Sequence, residues 1–240
     1  MIVEGAGPRT IVMVHGWPDT HRLWDSTVEA LKGQYRCVRF TLPGFEPGAP
    51  KRAYSFSALM ETLRQIVEPV VPVTLLLHDW GCLFGYQFAM RHPEMVERVI
   101  GVDIGDAGSR AHLAEIGASG KLKIVAYQVW LAAAWLLGSD AMARMMARLI
   151  RVPPGREVRA QLGYPYAMRW FGVAGGFRDL RVFKPNCPML FLYGERKPVM
   201  FHSDTWAQRV ESRAFPTGHW IMLEQPGELN AVLLEWLAKT

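Results

Sequence analysis

The sequence predicts an α/β fold: a mostly parallel sheet with helices on both faces and an α-helical insertion between two of its strands. Three observations lead there. Short β-branched and aliphatic runs alternate with longer stretches of helical period. The alternation stops between Ala107 and Lys184, where the pattern is helical throughout. Finally, 240 residues at 50% hydrophobic supply one good core but not two independent ones.

Taken in order, residues 10–14, 36–41, 73–77, 99–102 and 189–193 read as buried strands. Residues 24–32, 55–67 and 82–92 read as the helices that cross between them, and a last helix, 229–239, follows Pro226. The insertion is rich in Ala, Met, Trp and Arg, and Pro185 and Pro188 bracket the return to the sheet. The expected division is therefore a core of residues 1–106 and 186–240, with a helical cap at 107–185. No internal repeat or low-complexity tract interrupts it.

Composition narrows the function classes. Lys plus Arg number 27 against 22 Asp plus Glu, a net charge of +5. Yet Arg144, Arg148 and Arg151 recur at helical spacing between apolar residues, as on a solvated helix face, so a nucleic-acid partner is not expected. The 20% charged fraction and mean hydropathy of +0.05 argue against long disordered stretches and coiled coil. Cys37, Cys82 and Cys187 show no metal-ligand spacing and fit reduced thiols. No secretory pattern opens the chain, and the longest apolar stretch, residues 124–137, falls short of the roughly 20 residues that span a bilayer. A cytoplasmic protein with no membrane partner is the expectation.

Ligands of open parallel sheets sit beyond the carboxyl ends of the strands. Four places stand out there: His15-Gly16-Trp17-Pro18, His78-Asp79-Trp80-Gly81, Asp103 with Asp106, and Gly218-His219-Trp220. The second is the sharpest, because a strand runs through a tight turn into a helix, and such a corner holds a polar side chain out on a strained backbone. The residue presented is Asp79, so the nucleophile would be a carboxylate that forms an alkyl ester. The plainer alternative is an N-cap. His219, in the loop after the last strand, stands where a general base for water is needed, and an aspartate first, a histidine last and an acid between them is the chain order of a known triad. Cys82 lies inside the elbow helix and reads as a buried small residue. No Gly-x-Ser-x-Gly occurs, which disfavours a serine esterase.

These motifs, with Arg91-His92-Pro93 and Glu224-Gln225-Pro226, resemble the α/β-hydrolase superfamily over nearly the whole chain. Within it they are similar to the aspartate-nucleophile branch of epoxide hydrolases and haloalkane or haloacetate dehalogenases. The resemblance implies backbone N–H groups of Trp17 and Trp80 as an oxyanion hole, with His15 as a brace for its loop. It also exposes a departure. The usual triad acid would fall at position 197, in Gly194-Glu195-Arg196-Lys197-Pro198, and that position is a lysine. Asp103 is the expected acid, with Asp106 and Glu195 as fallbacks and turn formation as the plain reading of Asp103.

The two chemistries differ in how the leaving group is stabilised: an epoxide oxygen needs an O–H donor, a halide needs N–H donors. Tyr127 and Tyr166 are the expected ring-opening pair, with Tyr164 nearly as good a choice as Tyr166. Trp130 and Trp170 are expected to line the substrate pocket, and with Trp135 they are the cap candidates for a halide. The expected function is epoxide opening to a vicinal diol on a small hydrophobic substrate, without metal or organic cofactor. The alternatives are a dehalogenase with a halogenated substrate, or a non-catalytic relative whose Lys197 marks a decayed triad. Because the first motif begins only at His15, the one or two leading strands usual in the family are expected to be largely missing, and a second subunit is expected over the exposed edge.

Overall fold

The alternating runs fold as a seven-stranded sheet in the order β1-β3-β2-β4-β5-β6-β7 in a computed structural model that describes residues 1–239. The strands are β1 (Ile2–Glu4), β2 (Thr10–Val14), β3 (Arg36–Arg39), β4 (Val73–His78), β5 (Val96–Val102), β6 (Met189–Gly194) and β7 (Glu211–Phe215). The helices are α1 (Asp25–Leu31), α2 (Phe56–Val67), α3 (Trp80–Arg91), α4 (Arg110–Glu115), α5 (Gly117–Leu137), α6 (Asp140–Leu149), α7 (Tyr164–Phe171), α8 (Asp204–Arg209), α9 (Ile221–Glu224) and α10 (Pro226–Ala238). All neighbouring strands run parallel except β1, which pairs antiparallel with β3.

The period of two along each strand splits the interior into two layers. In β2, Val12 and Val14 face one side with Leu75 and Leu77 of β4, against α2 and α3. Ile11 and Met13 face the other with Leu76, Ile100 and Leu190, against α1 and α10. Helix α2 shows how the sequence commits to this: Ser55 caps its start by accepting from the Ala58 N–H at 3.1 Å, and Phe56, Leu59, Met60, Leu63 and Val67 fall on its buried stripe.

Register sets the level at which the strands end. His78 pairs with Val102, Val102 with Leu192, and Gly194 with Phe215. The residues that follow β4 and β5, Asp79 and Asp103, therefore leave adjacent strands at one height, beside the loop that follows β7.

Between β5 and β6 the chain adds no strand; α4 to α7 fill that stretch. Ser139 caps α6 by accepting from Met142 N–H, and Gly138 ends α5 in the left-handed region at φ 66°, which a glycine adopts without penalty. The segment is tied to the remaining chain by an Arg156–Asp19 ion pair at 2.9 Å and by Gln87, whose amide donates to the Arg181 carbonyl and accepts from the Arg181 N–H.

Two strands escaped the sequence reading. β7 has the sequence Glu-Ser-Arg-Ala-Phe and is an exposed edge, so it carries no apolar run. β1 is three residues long and half exposed, and it corrects the expectation of missing leading strands: one is present, fastened where Arg39 of β3 meets Glu4 at 2.8 Å. Helix α3 also starts two residues earlier than expected, at Trp80, which tightens the elbow. Among the described residues, no helix is long and apolar enough to cross a membrane.

Candidate active site

The corner between β4 and α3 is strained where the sequence places its carboxylate. Asp79 has φ 53° and ψ −124°, a conformation that costs a non-glycine residue about 1–3 kcal/mol. Neighbours hold it there. The Trp17 N–H donates to Asp79 Oδ1 at 2.7 Å, and the Trp80 N–H, at the start of α3, faces the same carboxylate. The approach is close enough to dictate glycine at two positions. A Cβ on Gly16 would lie 2.3 Å from Asp79 Oδ1, and one on Gly81 would lie 2.4 Å from the Val14 carbonyl oxygen. With Oδ1 occupied, Oδ2 is the free oxygen, and His219 Nε2 stands 3.5 Å from it.

His219 is fixed from three sides. Its Nδ1–H donates to Asp103 Oδ2, its carbonyl accepts from His78 Nε2–H at 3.0 Å, and the Trp220 ring packs edge-on against it at 4.7 Å. The loop before it is closed by Glu224, whose carboxylate takes the Gly218 N–H. Asp103 is fully buried and, like Asp79, has a positive φ, 74°. Its Oδ1 accepts from the Gly194 N–H at 3.1 Å and from Lys197 Nζ. The lysine at the unexpected position thus reaches the acid rather than the histidine.

The charges follow from these contacts. Burial alone would push the His219 imidazole down, but the Asp103 and Asp79 carboxylates override it and raise it to about 9. Burial would raise Asp103, yet Lys197 and then His219 hold it down at about 2. Asp79 is also held below the usual carboxylate range, His219 outweighing burial. His78 and His15 are neutral: burial pushes them down to about 3 and about 4. In the resting site the imidazole is therefore protonated between two carboxylates.

In front of Asp79 lies a cavity of about 1020 Å³. Trp17, Tyr127, Tyr166 and His219 line it, with an apolar wall that includes Ile124, Met146, Leu149 and Val199. The Tyr166 ring stands edge-on to Trp17, Trp80 and Tyr127, at 6.0, 5.0 and 6.1 Å. Burial drives the hydroxyls of both tyrosines to higher pKa, keeping them protonated.

The structure brings together Asp79, His219, Asp103, Tyr127, Tyr166 and the backbone of Trp17 and Trp80. It separates three others from the cavity. Tyr164 is fully buried against Phe45 and Tyr54, so the choice between Tyr164 and Tyr166 falls to Tyr166. Trp130 spends its indole N–H on the Met142 carbonyl, and Trp170 donates to Gln128 Oε1, so both serve helix packing instead of the pocket. The fallback acids are elsewhere too: Asp106 accepts from Ser109 and Ser203, and Glu195 is exposed. His15 braces its loop as expected, donating to the Gly16 carbonyl and accepting from the Leu42 N–H. Cys82 is buried and its thiol is pushed up to about 12.

Sequence reasoning missed Asp19. This buried carboxylate, two residues beyond Trp17, accepts from Arg156 and from the Trp220 indole N–H at 2.8 Å. It joins the Trp17 loop to the His219 loop, and only its nearness to the first motif could have marked it.

The chain matches the Alpha/beta hydrolase family over residues 11–232. Epoxide hydrolase 2 of Caenorhabditis elegans is 30% identical over 95 residues, 38% of this chain and 27% of that protein. The matched segment covers only 19% to 35% of the length of such relatives. Among solved structures, the Bacillus megaterium epoxide hydrolase superposes with a TM-score of 0.74 at 20% identity, covering 99% of this chain and 96% of that one. A thermophilic esterase from Thermogutta terrifontis reaches 0.72 at 17% identity, covering 99% and 92%, so the fold is common to more than one chemistry. The family match, the sheet order and the elbow agree, and the chain belongs to the α/β-hydrolase family.

Proposed function

We propose that this protein opens epoxides to vicinal diols through an alkyl ester on Asp79. The observation that carries the reading is the elbow carboxylate, with Oδ1 held by the Trp17 N–H, Oδ2 turned to His219, and the Tyr127 and Tyr166 rings facing the same cavity.

Asp79 Oδ2 attacks one epoxide carbon; the carbon–oxygen bond of the ring breaks, and the released oxygen takes a proton from a tyrosine hydroxyl. The ester carbonyl oxygen is then Oδ1. The resting His219 imidazolium returns a proton to the tyrosinate; the neutral Nε2 then removes a proton from water, the hydroxide adds to the ester carbon, and the charge arrives on the oxygen that Trp17 already contacts. Collapse releases the diol, carrying Oδ2 with it, and restores the carboxylate. Asp103 holds the Nδ1–H tautomer and stabilises the imidazolium. The apolar wall favours a hydrophobic substrate.

Two further points support the reading. Tyr127 and Tyr166 line the cavity as O–H donors for an epoxide oxygen, and the indole N–H groups of Trp130 and Trp170 are already engaged, although the Trp17 indole N–H has no partner among the described residues. The name of the Caenorhabditis elegans relative points the same way. The test is a panel of apolar epoxides and haloalkanes, followed for diol or halide. Rapid quenching should show the peptide bearing Asp79 heavier by the mass of the epoxide, and Asp79→Asn should abolish both signals. Halide release without diol, or turnover that survives Asp79→Asn, overturns it.

A further inference from the structure

Lys197 is a buried charged group at the site to which the proposed chemistry gives no role. Its side chain is only 5% exposed, its Nζ pairs with Asp103 Oδ1, and the other oxygen of that carboxylate holds His219 Nδ1. A neutral donor would satisfy Oδ1 without the desolvation that a buried ammonium demands, and a buried ion pair is weak ground for stability. The positive charge itself therefore calls for an explanation.

We propose that Lys197 is a positioning residue for the His219 base: its ion pair offsets part of the charge of Asp103 across the shared carboxylate, so that the imidazole gives up its proton more readily once Asp79 has been esterified. The inference rests on the ester reading above.

The charges around the imidazole make the argument. In the resting site two carboxylates, Asp79 and Asp103, face it and one ammonium opposes them. Esterification removes the Asp79 charge. What then faces the ring is Asp103 in direct contact and Lys197 on the far oxygen of the same carboxylate, so an imidazolium gains less than it would from Asp103 alone and its proton leaves at lower pH. With Lys197 neutralised, Asp103 alone would hold the proton to higher pH and slow the base. Among the described residues, no other group near the ring takes over. His78, with its ring 4.5 Å away, and His202, beside Lys197, are both kept neutral by burial, at about 3 and about 4. Glu224 is held by the Gly218 N–H, Asp106 by Ser109 and Ser203, and Asp19 by Arg156, while Arg196 on the cavity wall is exposed.

The test separates charge from shape. Lys197→Gln keeps a donor to Asp103 but removes the charge; Lys197→Met removes both; Lys197→Arg keeps the charge. The first readout needs no substrate: the His219 ring is titrated by NMR in an Asp79→Asn background, which lacks the Asp79 charge as the ester does. Gln and Met variants should titrate about one pH unit or more higher than the parent, and Arg should match it. The second readout is decay of the Asp79 ester against pH. Its rising limb should move up by the same interval, about tenfold slower decay at pH 7 per unit, while ester formation keeps its rate.

A Lys197→Gln protein whose His219 titrates with the parent overturns the proposal, as does a uniform loss of rate with the limb unmoved. Circular dichroism establishes that each variant is folded, and Lys197→Arg supplies a second comparison if Lys197→Met is not. If no epoxide esterifies Asp79, the ester reading falls by itself, and the NMR titration still decides whether Lys197 governs the histidine.

Discussion

Asp79 and Asp103 end adjacent parallel strands at the same level, and both adopt positive φ, yet the protein treats them in opposite ways. Asp79 is anchored through one oxygen by the Trp17 N–H and turns the other to His219 at the cavity. Asp103 is sealed, and both of its oxygens are taken, one by His219 and the other by Lys197 and Gly194. On the proposed reading, the carboxylate that reacts keeps one oxygen open to the cavity, and the one that holds other groups in place keeps none. Strain at the backbone is common to both, so it marks the site without distinguishing the roles.

The sharpest way to break this contrast is to neutralise each acid in turn. Asp79→Asn should lower turnover by about 10⁵-fold and move the urea midpoint less than Asp103→Asn does, because His219 loses one carboxylate but keeps Asp103. Asp103→Asn should cost about 10⁴-fold in activity, read as slow ester decay. It should also lower stability by about 3–5 kcal/mol in urea unfolding, since Lys197 would be left buried and unpaired. Equal stability of the two variants would erase the distinction.

Smaller effects sharpen it. Tyr127→Phe and Tyr166→Phe should each slow ester formation by about 10²-fold in single-turnover measurements and leave ester decay alone. Gly16→Ala pushes a Cβ into Asp79 Oδ1 and should move the Trp17 N–H off its target, slowing both half-reactions by about tenfold.

The smallest effect is on stability against pH, and the signs differ among the histidines. His219 is raised from 6.5 to about 9, so its contribution is complete below pH 6.5 and is lost as pH climbs to 9. His15 and His78 are depressed from 6.5 to about 4 and about 3, so their contributions are present above 6.5 and fade as pH falls. Asp103, lowered from 3.8 to about 2, adds a further loss only in stronger acid. Urea midpoints measured from pH 4 to 9 should peak near 6.5.

Much of this was legible in the sequence because it is written locally. The buried parallel strands announce themselves as apolar runs, and the elbow, the histidine loop and Asp103 sit directly after strands, at the end of the sheet where ligands bind. What was illegible depends on distance or on edges. β7 carries Glu211 and Arg213 because its surface meets water, so no hydrophobic period betrays it. Tyr164 and Tyr166 are two residues apart near the start of α7, and which one meets the cavity depends on how that helix is rotated against α5 and the core, a tertiary quantity. Trp130 and Trp170 look like ligand contacts until their N–H partners, Met142 and Gln128, are known. Lys197 seemed to spoil a triad, and only the fold reveals that it and His219 grip the same carboxylate.

The Trp17 N–H bond to Asp79 Oδ1 also fixes an isotope pattern. If the ester reading holds, Oδ2 leaves in every diol and the oxygen of the attacking water takes its place, while Oδ1 stays tethered. A first turnover in ¹⁸O-water would then give unlabelled diol and a singly labelled protein. Later diols would carry the label deposited one cycle before, so that each product records the water of its predecessor.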